Sequence, residues 1–320
     1  MPDLSVEYLD IQKNVALMLG WDRDPSKWSA TQSSDFGLVL TSGLRKFYTA
    51  YDWAFLKPRY TLTTSAPYSA GTVSIASGTV TGTETFPSSS ADYWLTINGK
   101  RYEVTLYTDA THISIADTSL AADAGTAYTL NRYKYTLPSD FGGFIGPLTY
   151  APNQSDYYRP VDMVDDHTIR ALYMTNVLDN ATEIVKAAVV PKPFVATLGQ
   201  LWELHTWPSS TSEMQLTGRY RVVPNDLDAV DKYPLGGGQH ANTILYAVLS
   251  EAETRLWDST TVANQTRYQE CLAMSVRYDK LQAAPETLGI VQFPGGSGMS
   301  VAGSLAQGTA LYSGHESSIL

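Results

Sequence analysis

Charge is scarce in this chain. Only 17% of its 320 residues are Asp, Glu, Lys or Arg, where soluble domains usually carry about 25%. Basic charge is scarcer still: 22 Lys and Arg stand against 32 Asp and Glu, giving a net charge of −10 and a pI near 4.9. That balance excludes the basic footprint on which tight nucleic-acid binding depends, but it suits a surface past which DNA slides without adhering. The single cysteine, Cys271, excludes an intramolecular disulfide framework and any multi-cysteine zinc site. A reducing compartment during assembly is the simple expectation. No apolar run approaches about 18 residues, and the opening MPDLSVEYLDIQ has no basic region leading into an apolar core. Neither a transmembrane helix nor a signal peptide is expected.

Thr, Ser, Gly and Tyr fill the space that charge leaves, with 21 Tyr and 23 Gly in the chain. These residues suit pleated sheet and broad contact surfaces. The length exceeds the usual ~100 to 200 residues per domain, which fits two modules or one domain carrying a large insert.

The hydrophobic period divides the chain. Tyr8, Ile11, Val15, Met18 and Leu19 fall on one helical face, with Asp3 or Ser5 as N-cap and Gly20 as the stop. A second helix is expected to begin near Ser33–Asp35 and to carry the stripe Phe36, Leu40, Gly43, Leu44 and Phe47, after a loop pinned by Trp21 and Trp28. Beyond YDWAFLKPRYTL the period becomes two: Val73 and Ile75 alternate with Thr72 and Ser74 within GTVSIASGTVTGTETF. Asn98-Gly99 predicts a type I′ hairpin between YWLTI and KRYEVTLY, because both central positions need positive φ. THISIA and AYTLNRYKYTL supply further strands, so residues 66–134 read as a small all-β barrel or sandwich.

LPSDFGGFIGPLTY reads as a punctuated return to the main body, followed by a short helix over 165–174. A second hairpin is expected to pair QLWELHTW (200–207) with EMQLTGRYRVV (213–223), placing Met214, Leu216, Tyr220 and Val222 on one face and Arg219 and Arg221 on the other. Two antiparallel helices follow, one with the stripe Ala241, Ile244, Leu245, Val248, Ala252 and Leu256, the next with Tyr268, Cys271, Leu272, Ser275 and Tyr278. From Pro294 onward the chain is Gly- and Ser-rich, a segment expected to order only against a partner.

The search for chemistry yields no catalytic, cofactor or metal site. Asp165, Asp166 and His167 are adjacent, but neighbours on a helix diverge around its axis and no HExxH accompanies them; acidic residues at a helix start are read as caps. His112, His205, His240 and His315 read as isolated, and Cys271 as a small core residue. GGGQH (236–240) precedes a helix but lacks the spacing of a phosphate-binding loop. Arg219 and Arg221 are a candidate channel or interface face, with an ordinary solvated sheet face as the plain alternative.

The order of segments carries more. A helix ending in LG, then GLRKFYTAYDWAFLKP, a Gly/Thr-rich β-insert with INGKRYEV, LPSDFGGFIGPLTY, TLGQLWELHTWPSSTSEMQLTGRYRVVPNDL, YPLGGGQHANTILYAVLSEAE and YDKLQAAPETLGIVQ together resemble the head-to-tail adaptor, or neck, proteins of tailed bacteriophages. The resemblance implies an α+β chain: a helical-bundle body from the N- and C-terminal helices with a β-rich middle (1–65 and 135–293), an inserted small β-barrel or sandwich (66–134) and an extended C-terminal arm (294–320). It implies a virion protein without enzymatic activity or cofactor, assembled in the host cytoplasm into a homo-oligomeric ring, typically a dodecamer, between the portal protein and a downstream tail, nozzle or stopper protein. Double-stranded DNA would pass through without specific binding, and no membrane is involved. The arm, with Phe293, Met299, Val301, Leu305, Leu311, Tyr312, Ile319 and Leu320, is the candidate surface for docking on the portal or a neighbour. Two other readings stay open: a virion-associated glycan hydrolase with its carboxylate hidden among the acidic residues, and a carbohydrate- or receptor-binding tail protein whose Tyr93, Trp94, Tyr102 and Tyr107 stack on sugars.

Overall fold

The computed structural model describes residues 5–152, 159–175, 183–257, 263–282, 291–292 and 298–299. The fold is α+β, with five helices and an extensive antiparallel sheet region among the described residues. The chain divides into two compact units, 1–56 with 226–320 and 57–225. The β-rich span 66–134 thus shares its unit with the strands that come after it as far as 225, whereas the hydrophobic period sets it apart from them.

The first unit holds α1 (Tyr8–Leu19), α2 (Ala30–Thr49), α4 (Ala241–Leu256) and α5 (Ala263–Gln282). Helix α1 starts later than its expected caps: Glu7 is the N-cap, and its N–H donates to the Asp10 carboxylate at 3.3 Å. Gly20 closes it with φ 70°, as its position after the last apolar residue implies. Helix α2 also departs from expectation and begins ahead of the Ser33–Asp35 cluster, at Ala30. Ser29 and Gln32 form a reciprocal capping box, with Gln32 N–H donating to Ser29 Oγ at 3.2 Å and Ser29 N–H to Gln32 Oε1 at 2.9 Å. This local pair outcompetes the later polar cluster. Trp21 and Trp28 meet edge to face at 5.4 Å in the intervening loop.

Gly43 lets α2 approach α4 closely, since a Cβ there would lie 2.5 Å from Val248 Cα. Beside it, Lys46 Nζ donates to Ser250 Oγ, Glu251 Oε1 and Gln265 Oε1 at 2.9, 3.1 and 2.7 Å, linking three helices through one half-buried ammonium. On α5 the expected stripe is displaced by one residue at its end: Tyr278 is exposed and Asp279 is buried. The Asp279 carboxylate accepts the Ala54 N–H with both oxygens at 3.1 Å, a demand that helical periodicity does not reveal. Near it His240 is buried against Phe47, Trp53 and Phe55, and its Nδ1 has no hydrogen-bond partner among the described residues.

In the second unit a seven-stranded antiparallel sheet runs in the order β7-β2-β3-β6-β5-β4-β8, formed by β2 (Val73–Ala76), β3 (Thr79–Gly82), β4 (Tyr93–Ile97), β5 (Lys100–Asp109), β6 (His112–Ile115), β7 (Ala122–Thr126) and β8 (Thr129–Arg132). Asn98 and Gly99 turn β4 into β5 with φ of 49° and 73°, as expected. Val73, Ile75, Val80, Leu95, Ile113 and Leu130 centre the core of this sheet. A four-stranded sheet orders β11 (Asp162–Met163), β12 (Lys186–Pro191), β13 (Trp202–Trp207) and β9 (Lys134–Thr136), beside α3 (Asp166–Met174). A three-stranded sheet places β14 (Gln215–Val222) between β1 (Arg59–Thr63) and β10 (Phe141–Tyr150).

The expected hairpin of 200–207 with 213–223 does not form. β13 is hydrogen-bonded on both sides by β12 and β9, and β14 by β1 and β10, so long-range partners satisfy both strands and the PSSTS segment crosses between sheets. LPSDFGGFIGPLTY, expected as a connection, contributes β10, a ten-residue strand whose glycines sit at its irregularities. In the C-terminal region Val291–Gln292 (β15) pairs with Gly298–Met299 (β16).

Two outcomes test this packing. Gly43→Ala should destabilise the protein by about 1–3 kcal/mol, the usual cost of overpacking, read as a lower midpoint in urea. Burial depresses the His240 pKa below 6.5, with Asp279 opposing. The unfolded chain therefore binds more protons as pH falls below that value, and stability is full above it and lost on acidification. His240→Phe should flatten the melting temperature between about pH 7 and pH 5, where the parent loses at most about 1.4 kcal/mol per pH unit to this group.

Candidate functional site

Among the cavities lined by described residues of the second unit, two are bordered by several charged side chains. The first lies on the exposed face of the three-stranded sheet. Strand alternation turns Leu62, Leu216, Tyr220 and Val222 inward and leaves Arg59, Arg219 and Arg221 outward. The antiparallel register sets Arg59 directly opposite Arg219. With Lys57, Thr149 and Thr217 they border a cavity of about 560 Å³. Neither Arg59 nor Arg219 has an ion-pair partner among the described residues. Two like charges placed opposite each other in a ladder repel, so the pair is a local exception on an acidic chain and a ready counter-surface for anionic groups.

The second feature arises because the outer face of the seven-stranded sheet is also covered. Along β4, Tyr93, Leu95 and Ile97 enter the sheet's core while Trp94 points the other way. Trp94 packs with Tyr133, Ile169, Tyr173 and Ala188 in a separate small core between the sheet and α3, β12 and β13. Its ring stacks on Tyr133 at 4.8 Å and lies 5.2 Å from Tyr173. A cavity of about 620 Å³ opens beside this cluster.

One rim of that cavity is built on Glu103, which stands directly opposite Trp94 in the β4–β5 ladder. Its Oε1 accepts from Tyr133 Oη at 2.9 Å and from Lys134 Nζ at 2.8 Å. Burial works against the Glu103 charge, but the hydrogen bonds from Lys134 and Tyr133 outweigh it and hold the carboxyl below its usual range. Burial, with the Glu103 charge beside it, pushes the Tyr133 phenol far up, so Tyr133 is a fixed donor. The other rim carries His205, whose Nε2 lies 2.6 Å from Glu203 Oε1 and whose Nδ1 lies 3.7 Å from Asp166 Oδ1. Asp166 accepts from Arg170 Nε at 2.7 Å. Glu203 is likewise held low: burial opposes its charge, and the His205 hydrogen bond with Lys192 nearby prevails.

Two side chains of the cavity lining, by contrast, each carry a buried donor without a partner among the described residues. Trp94 Nε1 and Arg101 Nη1 are buried without a hydrogen-bond partner, and the Arg101 guanidinium lies over the Tyr173 ring at 5.5 Å.

Of the residues singled out in the sequence, Asp165 caps α3 by accepting from the Thr168 N–H at 3.3 Å and from the Thr168 hydroxyl. Asp166 joins the pocket rim, and His167 is exposed. His205 is not isolated, contrary to expectation, because Glu203 lies two residues back on the same strand face. His112 pairs with Asp109 at 2.9 Å, and the Thr111 N–H with that pairing draws the Asp109 carboxyl down to about 2. Tyr93 enters the sheet's core and Tyr102 and Tyr107 pack against it, with Tyr102 also reaching the pocket lining; Trp94 alone of the four turns wholly to the second core. Cys271 is half-buried on α5 and burial raises its thiol pKa, which suits a packing role. His315 and the arm residues Phe293, Val301, Leu305, Leu311, Tyr312, Ile319 and Leu320 lie outside the described residues; Met299 is in β16. No protein-family model and no curated protein matches the chain.

Arg101, Glu103 and Arg59 are the functional candidates that sequence reasoning missed. Arg101 and Glu103 sit at alternate positions of a strand already marked by its hairpin, so the outward-facing half of KRYEV was the available signal. No local signal pairs Arg59 with Arg219. Replacing Arg219 by Thr should raise stability at low ionic strength by roughly 0.2–1 kcal/mol. The gain should shrink as salt screens the exposed pair, as read from thermal melts across a salt series.

Proposed function

We propose that the chain is a structural virion protein, the head-to-tail adaptor of a tailed bacteriophage. It assembles as a homo-oligomeric ring, typically a dodecamer, between the portal and a downstream tail component, and continues the DNA channel. The finer fold belongs to this proposal: a helical body made by both ends of the chain, an inserted β-barrel, and an extended arm that docks on the portal or a neighbour. The order of segments along the chain is its first support.

The observation that carries the reading is the outer surface of the helical unit. Met274, Tyr278 and Leu281 are 54, 48 and 75% exposed and recur at helical spacing along one side of α5. Leu17 and Leu38 are 58 and 60% exposed on α1 and α2. Apolar side chains in register on a folded helix suit burial between subunits of a permanent ring. The net charge of −10 lets packaged DNA pass without counterion-releasing adhesion, and the Arg59–Arg219 pair supplies one local contact for phosphate or for an acidic neighbour.

Negative-stain electron microscopy and mass photometry of the full chain, alone and with its portal, test this. Rings are expected in at least one condition. Met274→Glu with Leu281→Glu should leave monomers of unchanged helical content, and deletion of 294–320 should weaken portal association. A chain that stays monomeric with the portal present, whether or not the arm is intact, overturns the reading.

A further inference from the structure

We propose that the exposed face of the three-stranded sheet holds a binding site for a phosphate group, built on Arg59 and Arg219. The ladder between β1 and β14 brings these two side chains as close as facing positions allow. Tyr220 N–H donates to the Pro58 carbonyl at 3.3 Å, and Thr64 N–H donates to the Met214 carbonyl at 2.8 Å. Those bonds mark the hydrogen-bonded rungs, which alternate along an antiparallel ladder with rungs that carry none. Arg59 and Arg219 therefore share a non-hydrogen-bonded rung, where Cα atoms lie only about 4.5 Å apart and side chains are nearest. Strand β14 is also paired with β10, so the rung is held from both sides of its central strand.

Both arginines are exposed, and neither has an ion-pair partner among the described residues. The cavity of about 560 Å³ that they border with Lys57 has no acidic side chain among the described residues of its lining. In a chain where acidic residues outnumber basic ones by 32 to 22, that one-signed lining runs against composition. The Thr149 and Thr217 hydroxyls, also in the lining, lie 3.4 Å apart and donate to each other's backbone carbonyls at 3.3 and 3.4 Å. Bonds that long yield to a charged acceptor.

The ligand that fits must offset two opposed positive charges and accept from both. A guanidinium presents its donors as a planar fork, and a carboxylate spends both oxygens on one such fork. The second arginine would then stay uncompensated. A phosphate group directs its oxygens along different axes, so it accepts from both arginines and from a threonine hydroxyl together. An apolar or cationic ligand leaves the repulsion in place. The cavity is within the size range of ligand sites, with room for a phosphate group and its water. Free phosphate and the phosphodiester of a nucleic acid share this chemistry. The proposal sharpens the anion contact assigned above to this pair, and it rests on the subunit rather than on the ring. A chain that never assembles still binds the ion, and a ring indifferent to phosphate remains an adaptor.

The test is calorimetry and thermal melting of the full chain with inorganic phosphate and, separately, a short DNA duplex, both against chloride at matched ionic strength. At least one of the two should bind and raise the melting temperature, since a ligand held only by the folded chain stabilises it. Arg59→Gln and Arg219→Gln should each weaken that binding at least about tenfold, the loss of one hydrogen bond to a charged group. Without ligand each variant should melt slightly above the parent, because the like-charge rung is gone; this also shows that it folds. Arg219→Lys, which keeps the charge and loses the fork, should bind with intermediate strength. Binding of phosphate alone assigns the site to the free ion or a monoester, and duplex binding lost in the same variants assigns it to a nucleic-acid backbone; either supports the proposal. No response to phosphate or duplex beyond that to chloride overturns it, as does binding unchanged in both Gln variants. Preference for a glutamate peptide over phosphate and duplex overturns it in favour of an acidic protein partner.

Discussion

The β-rich unit depends on one strand being buried on both sides. In β4, odd-numbered Tyr93, Leu95 and Ile97 close the core of the seven-stranded sheet, and even-numbered Trp94 anchors a second core against α3 and the four-stranded sheet. A β-insert of ordinary design turns a polar face to water. Here the second face is apolar at its centre and charged at its margin, so the span 66–134 is continuous with the strands up to 225. The same constraint creates the cavity. The cavity lies beside that cluster, and Trp94 Nε1 and Arg101 Nη1 are buried next to it without partners among the described residues.

Features set by near neighbours were legible in the sequence. Asn98-Gly99 specified its turn because only a few residues accept positive φ at two successive positions. Asp165 specified the start of α3, and Val73 and Ile75 specified an inward face. Choices between distant partners could not be read. QLWELHTW and EMQLTGRYRVV look like the arms of one hairpin, yet each finds better-matched strands elsewhere, from as far away as β1. Arg59 opposes Arg219 only because of that pairing. Asp279 is buried to serve a backbone N–H 225 residues away, while periodicity favours Tyr278 next to it.

In the helical unit the polar residues are used sparingly and each joins several elements. Lys46 gathers hydroxyl, carboxylate and amide from α4 and α5, and Asp279 secures the turn after α2. His240 is the exception. It is buried in an aromatic setting with one nitrogen unsatisfied, which ties this unit's integrity to the protonation state of one ring. A chain with so little charge concentrates its electrostatic sensitivity in very few places.

The division of the chain also fixes an order of events during synthesis. Residues 57–225 are complete and able to pair all their strands before α4 has been made, whereas α1 and α2, though made before them, lack the helix that Gly43 is shaped to receive. The β-rich unit therefore matures while the N-terminal helices wait, and the helical unit closes last, when translation supplies α4 and α5. The exposed face of α5 comes into being only on chains that already carry the whole β-rich unit and α4. Truncated products of interrupted translation lack it, which excludes them from any assembly built on that face.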